Sequence, residues 1–213
     1  ILFKEEGFPK YFNSIALRGN IQNFDNFDIS LYLGPNFHFV IYPVNQNKEF
    51  NFISVIRKRL TQEEIFSRSL FKDNTFINNL LNQISSKSND NLIEKVKDVK
   101  CFPIFVSKKL KIPHSKNIFL IGDAFYSFPP SFAQGASQSI EAANELLINL
   151  KKNSSNYLKK RILKTKQINS RSSLNHLAFH LSNPITIFFR NIILKYLSKN
   201  KNFLENYLGK IYK

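Results

Sequence analysis

One segment limits the folds open to this chain more than any other. From Ile118 to Leu147 it reads IFLIGDAFYSFPPSFAQGASQSIEAANELL. The apolar run Asn117–Ile121 predicts a buried strand that stops abruptly at Gly122-Asp123. Pro129 and Pro130 make the next stretch stiff and non-helical. Helical spacing then runs from Ala133 to Leu150, with Ile140, Ala143, Leu146, Leu147 and Leu150 on the side expected to be buried. Strand, Gly-Asp turn, rigid loop and helix, in that order, are the parts of an α/β layer, where ligands gather beyond the carboxyl ends of strands. Gly122 has no side chain, so a partner can come close to its backbone. Asp123 presents a carboxylate there. The first N–H groups of the helix have no internal partners, and Gly135 leaves room in front of them. Such a helix end favours negative charge on a ligand by about 0.3–2 kcal/mol.

Upstream, the period of the pattern is two rather than 3.6. Ile15-Ala16-Leu17, Leu31-Tyr32-Leu33, Phe37 to Val44 and Phe50 to Ile56 read as strands of an antiparallel β-meander. Phe50, Phe52, Ser54 and Ile56 face one way, and Asn51, Ile53, Val55 and Arg57 the other. Asn45 to Lys48 is a polar turn. Residues 61–98 switch to helical spacing. Thr61-Gln62-Glu63-Glu64 is a capping box. Asp73 caps a second helix that carries Phe76, Ile77, Leu80, Leu81 and Ile84. A polar loop spans Ser85 to Asn91, followed by a short amphipathic piece with Leu92, Ile93 and Val96. Cys101 to Val106 is a short strand, and Lys108 to Lys116 a loop. The organisation that follows is a portion of strands and short helices at 1–106, a strand–helix portion at 107–150 and a helical portion at 151–213.

Composition excludes several classes. The 213 residues are 43% hydrophobic, enough for a real core. A single cysteine, Cys101, permits no internal disulfide and no cysteine-based zinc site. No run of 18 apolar residues suggests a membrane span. The start, ILFKEEGFPK, is broken by Lys4, Glu5 and Glu6 and is no signal peptide. His176 and His180 are four apart, but no acid or cysteine accompanies them, so no metal is expected. There is no G-x-S-x-G elbow and no pair of catalytic carboxylates, so nothing suggests a hydrolase.

The net charge of +16 is uneven. Residues 151–213 hold 14 Lys/Arg and one acid, Glu205. A basic third of this kind attracts anionic surfaces, although AT-rich coding also enriches Lys and Asn. After Pro184, the residues Ile185, Phe188, Phe189, Ile192, Ile193, Tyr196 and Leu197 recur at helical spacing. Phe203, Leu204, Tyr207, Leu208 and Ile211 extend the pattern. Arg190, Lys195, Lys199, Lys201 and Lys210 flank it. Two readings compete: a helix packed on the body with a solvated basic face, or a peripheral membrane helix. No nucleic-acid module or aromatic platform is apparent, so nucleic acid is not expected as a partner.

Gly122-Asp123-Ala124, Pro129-Pro130, Ala133-Gln134-Gly135-Ala136 and Ile140-Glu141-Ala142 together resemble the C-terminal flavin motif of the class A FAD-dependent monooxygenases, the aromatic-ring hydroxylases. Ala16-Leu17-Arg18-Gly19 resembles the substrate-domain strand of the salicylate-hydroxylase-like members. Leu33 to Val44, with Gly34-Pro35, His38 and Tyr42-Pro43, resembles their hairpin. The three segments stand in family order across residues 15–147. Ser137 stands where the family has Asn, Ala142 where it has Asp, and Phe125-Tyr126 where it has Ala-His.

The resemblance implies part of the FAD-binding fold, with an antiparallel substrate-domain sheet and C-terminal helices. It implies that Gly122 and Asp123 meet FAD, with Asp123 on the ribityl hydroxyls. Pro130 would lie beside the ring. Gln134, Gly135, Ala136 and Ser137 would face its pyrimidine edge, largely through backbone N–H groups. Arg18, His38 and Tyr42 become candidates for the substrate pocket. NAD(P)H would reduce the flavin. One atom of O2 would enter an aromatic or lipophilic substrate and the other would become water. No side chain is assigned as a catalytic acid or base, because the cofactor carries the hard steps. A reductase or epoxidase of the same group, or a basic membrane-binding module, is the alternative.

The six glycines, at 7, 19, 34, 122, 135 and 209, do not form the G-x-G-x-x-G turn these enzymes use for the ADP part of FAD. With no Met at Ile1, the expectation is a C-terminal part that lacks roughly 150 residues, about one domain. Alone it would bind FAD weakly and not turn over. The expected location is cytoplasmic, with the basic helices available for the inner face of a membrane.

Overall fold

The computed structural model describes residues 9–22, 24, 28–45, 49–86, 92–112, 118–151 and 156–209. The chain forms two compact units. The first comprises Tyr11–Ile104 together with Phe179–Asn183; the second comprises Phe105–Ala178 and the chain from Pro184 onward.

The first unit is built on a five-stranded sheet. Its strands are β1 (Lys10–Gln22), β2 (Ser30–Gly34), β3 (Phe37–Pro43), β4 (Glu49–Arg57) and β5 (Lys97–Val106). Their order is β2-β3-β4-β1-β5. The β1–β4, β2–β3 and β3–β4 ladders are antiparallel. Only β2-β3-β4 is therefore a meander. β1 pairs with β4, not with β2 as a simple meander requires. The reason lies in the lengths: thirteen-residue β1 can bury a strand on each flank, whereas five-residue β2, with Leu31 exposed, makes a short edge. β5 starts at Lys97, four residues before the expected Cys101. Gly19 of β1 is obligatory here, because a Cβ would stand 2.6 Å from Val96 Cγ1 and 2.8 Å from the Lys97 carbonyl oxygen.

The two faces of the sheet separate as the alternation predicts. One carries Ile15, Leu17, Ile21, Phe37, Phe39, Ile41, Phe50, Phe52 and Ile56, all at or near zero exposure. Ile77, Leu80 and Ile84 of helix α2 (Asn74–Ser85) join them in one core. Each such side chain contributes roughly 1.5–3 kcal/mol by leaving water. Both expected caps are present. Thr61 and Glu64 close a reciprocal capping box on α1 (Gln62–Phe66), and the Asp73 carboxylate accepts from the Thr75 N–H of α2. Cys101 belongs to this core; burial pushes its thiol up to about 12, so it is a packing residue. The polar loop at 87–91 lies outside the described residues.

The second unit holds α3 (Gly135–Lys151), α4 (Tyr157–Phe179), α5 (Pro184–Leu197) and α6 (Lys201–Leu204), with a π-turn at Glu205–Gly209. Two expectations fail in it. Ile118–Ile121 has no regular secondary structure and lies in no described ladder, and Phe119 and Ile121 are exposed. An apolar run becomes a strand only when a neighbouring strand takes its backbone groups. The buried side of α3 is also inverted. Ile140, Leu147 and Leu150 are exposed, while Gln138, Ala142 and Glu145 are buried. What α3 turns inward is a polar seam with α4. Arg161, 3% exposed, donates to Glu145 Oε2 (3.2 Å) and Gln138 Oε1 (3.0 Å). Lys160 and Lys164 pair with Glu145 and Glu141 at 2.8 and 3.0 Å. A guanidinium can be buried only among such acceptors, and they occupy the side that hydropathy assigns to the core.

Separation of the two sheet faces gives a direct test. Phe52→Ala is expected to lower unfolding free energy by about 3–5 kcal/mol in urea. Asn51→Ala, one residue away on the other face, is expected to cost only about 1 kcal/mol, the value of its hydrogen bond to the Tyr42 hydroxyl.

Candidate functional site

Gly122-Asp123-Ala124 forms a single 3₁₀ turn packed against α3. Gly122 has φ +56°, in the region that favours glycine. A Cβ there would lie 2.4 Å from Ser139 Oγ and 3.1 Å from Ser139 Cβ. The partner that approaches Gly122 closely is thus the second turn of α3 itself. Ser139 is fixed in turn by donating to the Gly135 carbonyl at 2.9 Å. Asp123 is exposed at the apex of this turn.

The loop before α3 is equally fixed. Pro129 is buried and Pro130 exposed. Pro130–Phe132 forms one 3₁₀ turn, where a non-helical stretch was expected; proline is tolerated in the first turn because its missing N–H has no partner there. Ala133 then adopts φ 51°, reversing the chain into α3. Gln134 is buried, and its carbonyl accepts the Gln138 N–H at 2.9 Å, the first bond of the helix. Its Oε1 accepts from Gln138 Nε2 at 3.4 Å. Gly135, Ala136 and Ser137 are exposed, and a Cβ on Gly135 would meet nothing within 4 Å. No acidic side chain occupies the first turn of α3. The helix therefore presents open N–H groups, with the positive end of its dipole uncompensated by its own sequence.

A clamp that sequence reasoning missed holds this loop. Ser131 Oγ lies 3.1 Å from His176 Nδ1 of α4, both buried. Asn175 Nδ2 donates to the Ser131 carbonyl at 3.3 Å, and the Tyr207 hydroxyl donates to Asn175 Oδ1 at 2.8 Å. Phe132 meets the Tyr207 ring edge-on at 5.8 Å, and Arg171 donates to the Tyr207 carbonyl. Loop, α4 and the π-turn thus form one hydrogen-bonded assembly. The only sequence signal was the presence of His176, noticed for its spacing from His180. Its partner is 45 residues away, which no local pattern reports.

In the sheet unit, strand register places Arg18, His38 and Tyr42 on the face opposite the core. His38 aligns with Val55, Tyr42 with Asn51, and Arg18 with Ile53. They share a face without touching. Arg18 is exposed, its guanidinium 6.0 Å from the centre of the Phe102 ring. Tyr42 is half-buried and its hydroxyl accepts from Asn51 Nδ2 at 2.5 Å. His38 is buried against His180, its Nδ1 3.1 Å from His180 Nε2, which is also 3.1 Å from the Val55 carbonyl oxygen. A carbonyl can only accept, so His180 carries its proton on Nε2 and shares it between Val55 and the His38 Nδ1 lone pair. Burial, and secondarily the nearby His180, push His38 down to about 3. It is neutral at physiological pH. His176 and His180 each have a separate partner, and no group of three or more His, Cys, Asp or Glu among the described residues could hold a metal ion.

No family model matches the sequence, and no curated protein sequence does. Solved structures do match in fold. HpxO of Klebsiella pneumoniae, complexed with FAD and uric acid, superimposes with TM-score 0.73 at 13% identity, over 97% of this chain and 54% of that one. A salicylate hydroxylase in complex with substrate gives 0.69 at 16% identity, over 95% and 56%. PqsL of Pseudomonas aeruginosa, a probable FAD-dependent monooxygenase, gives 0.57 at 17%, over 81% and 50%. This chain thus shares its fold with about half the length of each of these proteins. That fold is mixed α/β, a five-stranded sheet with helices, as expected from the sequence.

Two outcomes follow from this geometry. His38 is depressed well below its ordinary 6.5, so the unfolded chain binds more protons as pH falls. Stability is expected to be full above pH 6.5 and to decline toward pH 3, by roughly 1.4 kcal/mol per pH unit from this group. Urea unfolding across that range checks it, and His38→Gln should flatten the slope. Gly122→Ala, strained at φ +56° and clashing with Ser139, is expected to cost about 1–3 kcal/mol, far more than Ala136→Gly.

Proposed function

We propose that this chain supplies the flavin-ring end of an FAD-dependent monooxygenase that acts on an aromatic or lipophilic small molecule with NAD(P)H and O2. The observation that carries the reading is the packing of the Gly122–Ala124 turn on α3, which joins an exposed carboxylate to an open helix N-terminus in one rigid piece. The residues present suit that cofactor. Asp123 is an acceptor of the kind ribityl hydroxyls need. The Gly135, Ala136 and Ser137 N–H groups are donors suited to the electronegative pyrimidine edge. Open space at Gly135 admits a flat ring, and exposed Pro130 offers it an apolar flank. When bound, the flavin supplies the redox chemistry and activation of oxygen.

The chain's own groups then have defined tasks. The α3 N–H groups stabilise negative charge where it builds up on the ring edge, without reorganising during the reaction. Gln134 acts from behind: buried and bonded to Gln138, it sets where the helix begins. The Ser131–His176 and Asn175–Tyr207 clamp keeps Pro130 in place. Arg18 and Tyr42 line the substrate side of the sheet, and neutral His38 supports that face without carrying a proton at physiological pH.

The reading includes a larger protein. The chain spans only 50–56% of the solved structures named above. Phe119, Ile121, Ile140, Leu147 and Leu150 leave apolar surface of the helical unit exposed. Further chain, carrying strands to pair with Ile118–Ile121 and a turn for the ADP part of FAD, would cover it. The 107–150 portion then belongs to the cofactor domain and residues 1–106 to the substrate side.

The test is FAD binding, followed by visible absorbance and flavin fluorescence. The longest natural protein containing this sequence is expected to purify yellow, and the present chain alone to bind FAD weakly. Asp123→Ala should weaken binding about tenfold or more, equivalent to roughly 1.4 kcal/mol. Colourless full-length protein, or Asp123→Ala with unchanged affinity, refutes the reading. NADPH-dependent oxygen uptake separates a monooxygenase from a reductase.

A further inference from the structure

The outer face of α5 is independent of the flavin reading. Ile185, Phe188, Phe189, Ile192, Ile193 and Tyr196 are 51–69% exposed. They fall at i, i+3, i+4, i+7, i+8 and i+11, a continuous stripe along the helix. Half-buried Ile187, Leu194 and Leu197 and buried Arg190 form the inward stripe. Arg190 is engaged there, donating to the Ala178 carbonyl at 3.4 Å and to Asn191 Oδ1 at 2.9 Å. Two of the outward rings, Phe188 and Phe189, pack edge-to-face at 5.6 Å. The helix has thus turned its more aromatic face away from its own unit. Scattered exposed apolar residues are ordinary; six in one stripe mark a binding surface.

The charges around this stripe favour one occupant. Lys195, Lys199 and Lys201 are exposed at its C-terminal end, and no acid occurs between Pro184 and Leu204. A fourteen-residue helix is only about 21 Å long, too short for a hydrocarbon core of about 30 Å. No helix among the described residues is long and apolar enough to cross a membrane. Lying flat, such a helix sinks its apolar side into the acyl boundary, with lysines reaching the headgroups and Tyr196 at the interface. A second copy of this chain would bring lysines against lysines in a protein of net charge +16.

We propose that α5 is a membrane-surface helix that binds anionic phospholipid bilayers through Phe188, Phe189, Ile192 and Ile193, with Lys195, Lys199 and Lys201 on the headgroups.

The experiment is vesicle co-sedimentation of the longest natural chain, using phosphatidylcholine vesicles with and without phosphatidylglycerol across a salt series. Binding is expected with phosphatidylglycerol and at least tenfold weaker without it. Phe188→Ser with Phe189→Ser should reduce it tenfold or more with helicity unchanged, since both positions are exposed. Lys195→Glu with Lys199→Glu should remove the preference for phosphatidylglycerol. No binding to anionic vesicles overturns the proposal, as does binding indifferent to the Phe pair. Self-association abolished by that pair, seen by sedimentation equilibrium, overturns it in favour of a second copy.

Discussion

The contact between Gly122 and Ser139 governs the helical unit. Only a residue without Cβ can sit at φ +56° with a serine hydroxyl where its side chain would be. That contact ties the Asp123 turn to the amino end of α3, so an acidic tip and a ring of open N–H groups move together. An electrostatic site works only if its dipoles are already aimed before a ligand arrives. In the proposed flavin site the aim comes from close packing behind the helix end, while the front stays open at Gly135.

The two units reach order by different means. The sheet unit is held by an ordinary hydrophobic core, with Phe37, Phe39, Phe50 and Phe52 fully buried on one face. The second unit hides polar groups instead: Gln138, Glu145, Arg161, Thr165, Ser172 and His176 are all buried. Such a seam adds little net stability, because desolvation offsets most of the Coulombic gain, but it is intolerant of wrong pairings. It also frees the apolar sides of α3 and α5 to face outward. One of those faces is the proposed docking side for further chain and the other the proposed lipid surface.

Much of the sheet was legible from local pattern. Alternation in Phe50–Arg57 assigned each side chain to its face, because strand geometry has period two and one face is buried. The Thr61–Glu64 and Asp73 caps were legible because capping is satisfied within a few residues. The motif from Gly122 to Ala142 pointed to the turn and helix start for the same reason. What failed was everything that needed a distant partner. The Ile118–Ile121 run was strand-like in composition but found no described ladder. The apolar side of α3 looked like a core because hydropathy does not register Arg161, 16 residues from Glu145 and requiring acceptors. The Ser131–His176 clamp left no local pattern beyond the presence of His176 itself, because its partner lies 45 residues away.

The sequence by itself determined the α/β class, the caps, the alternation of the sheet and the Gly-Asp, loop, helix order, because each is settled by steric and hydrogen-bonding preferences of neighbouring residues. Tertiary structure alone decided that β1 joins β4, that α3 and α4 meet through charge rather than apolar side chains, and that the stripe of α5 faces outward. These choices depend on which groups come together across dozens of residues. There the cost of burying Arg161 without acceptors outweighs the gain from hiding a few leucines.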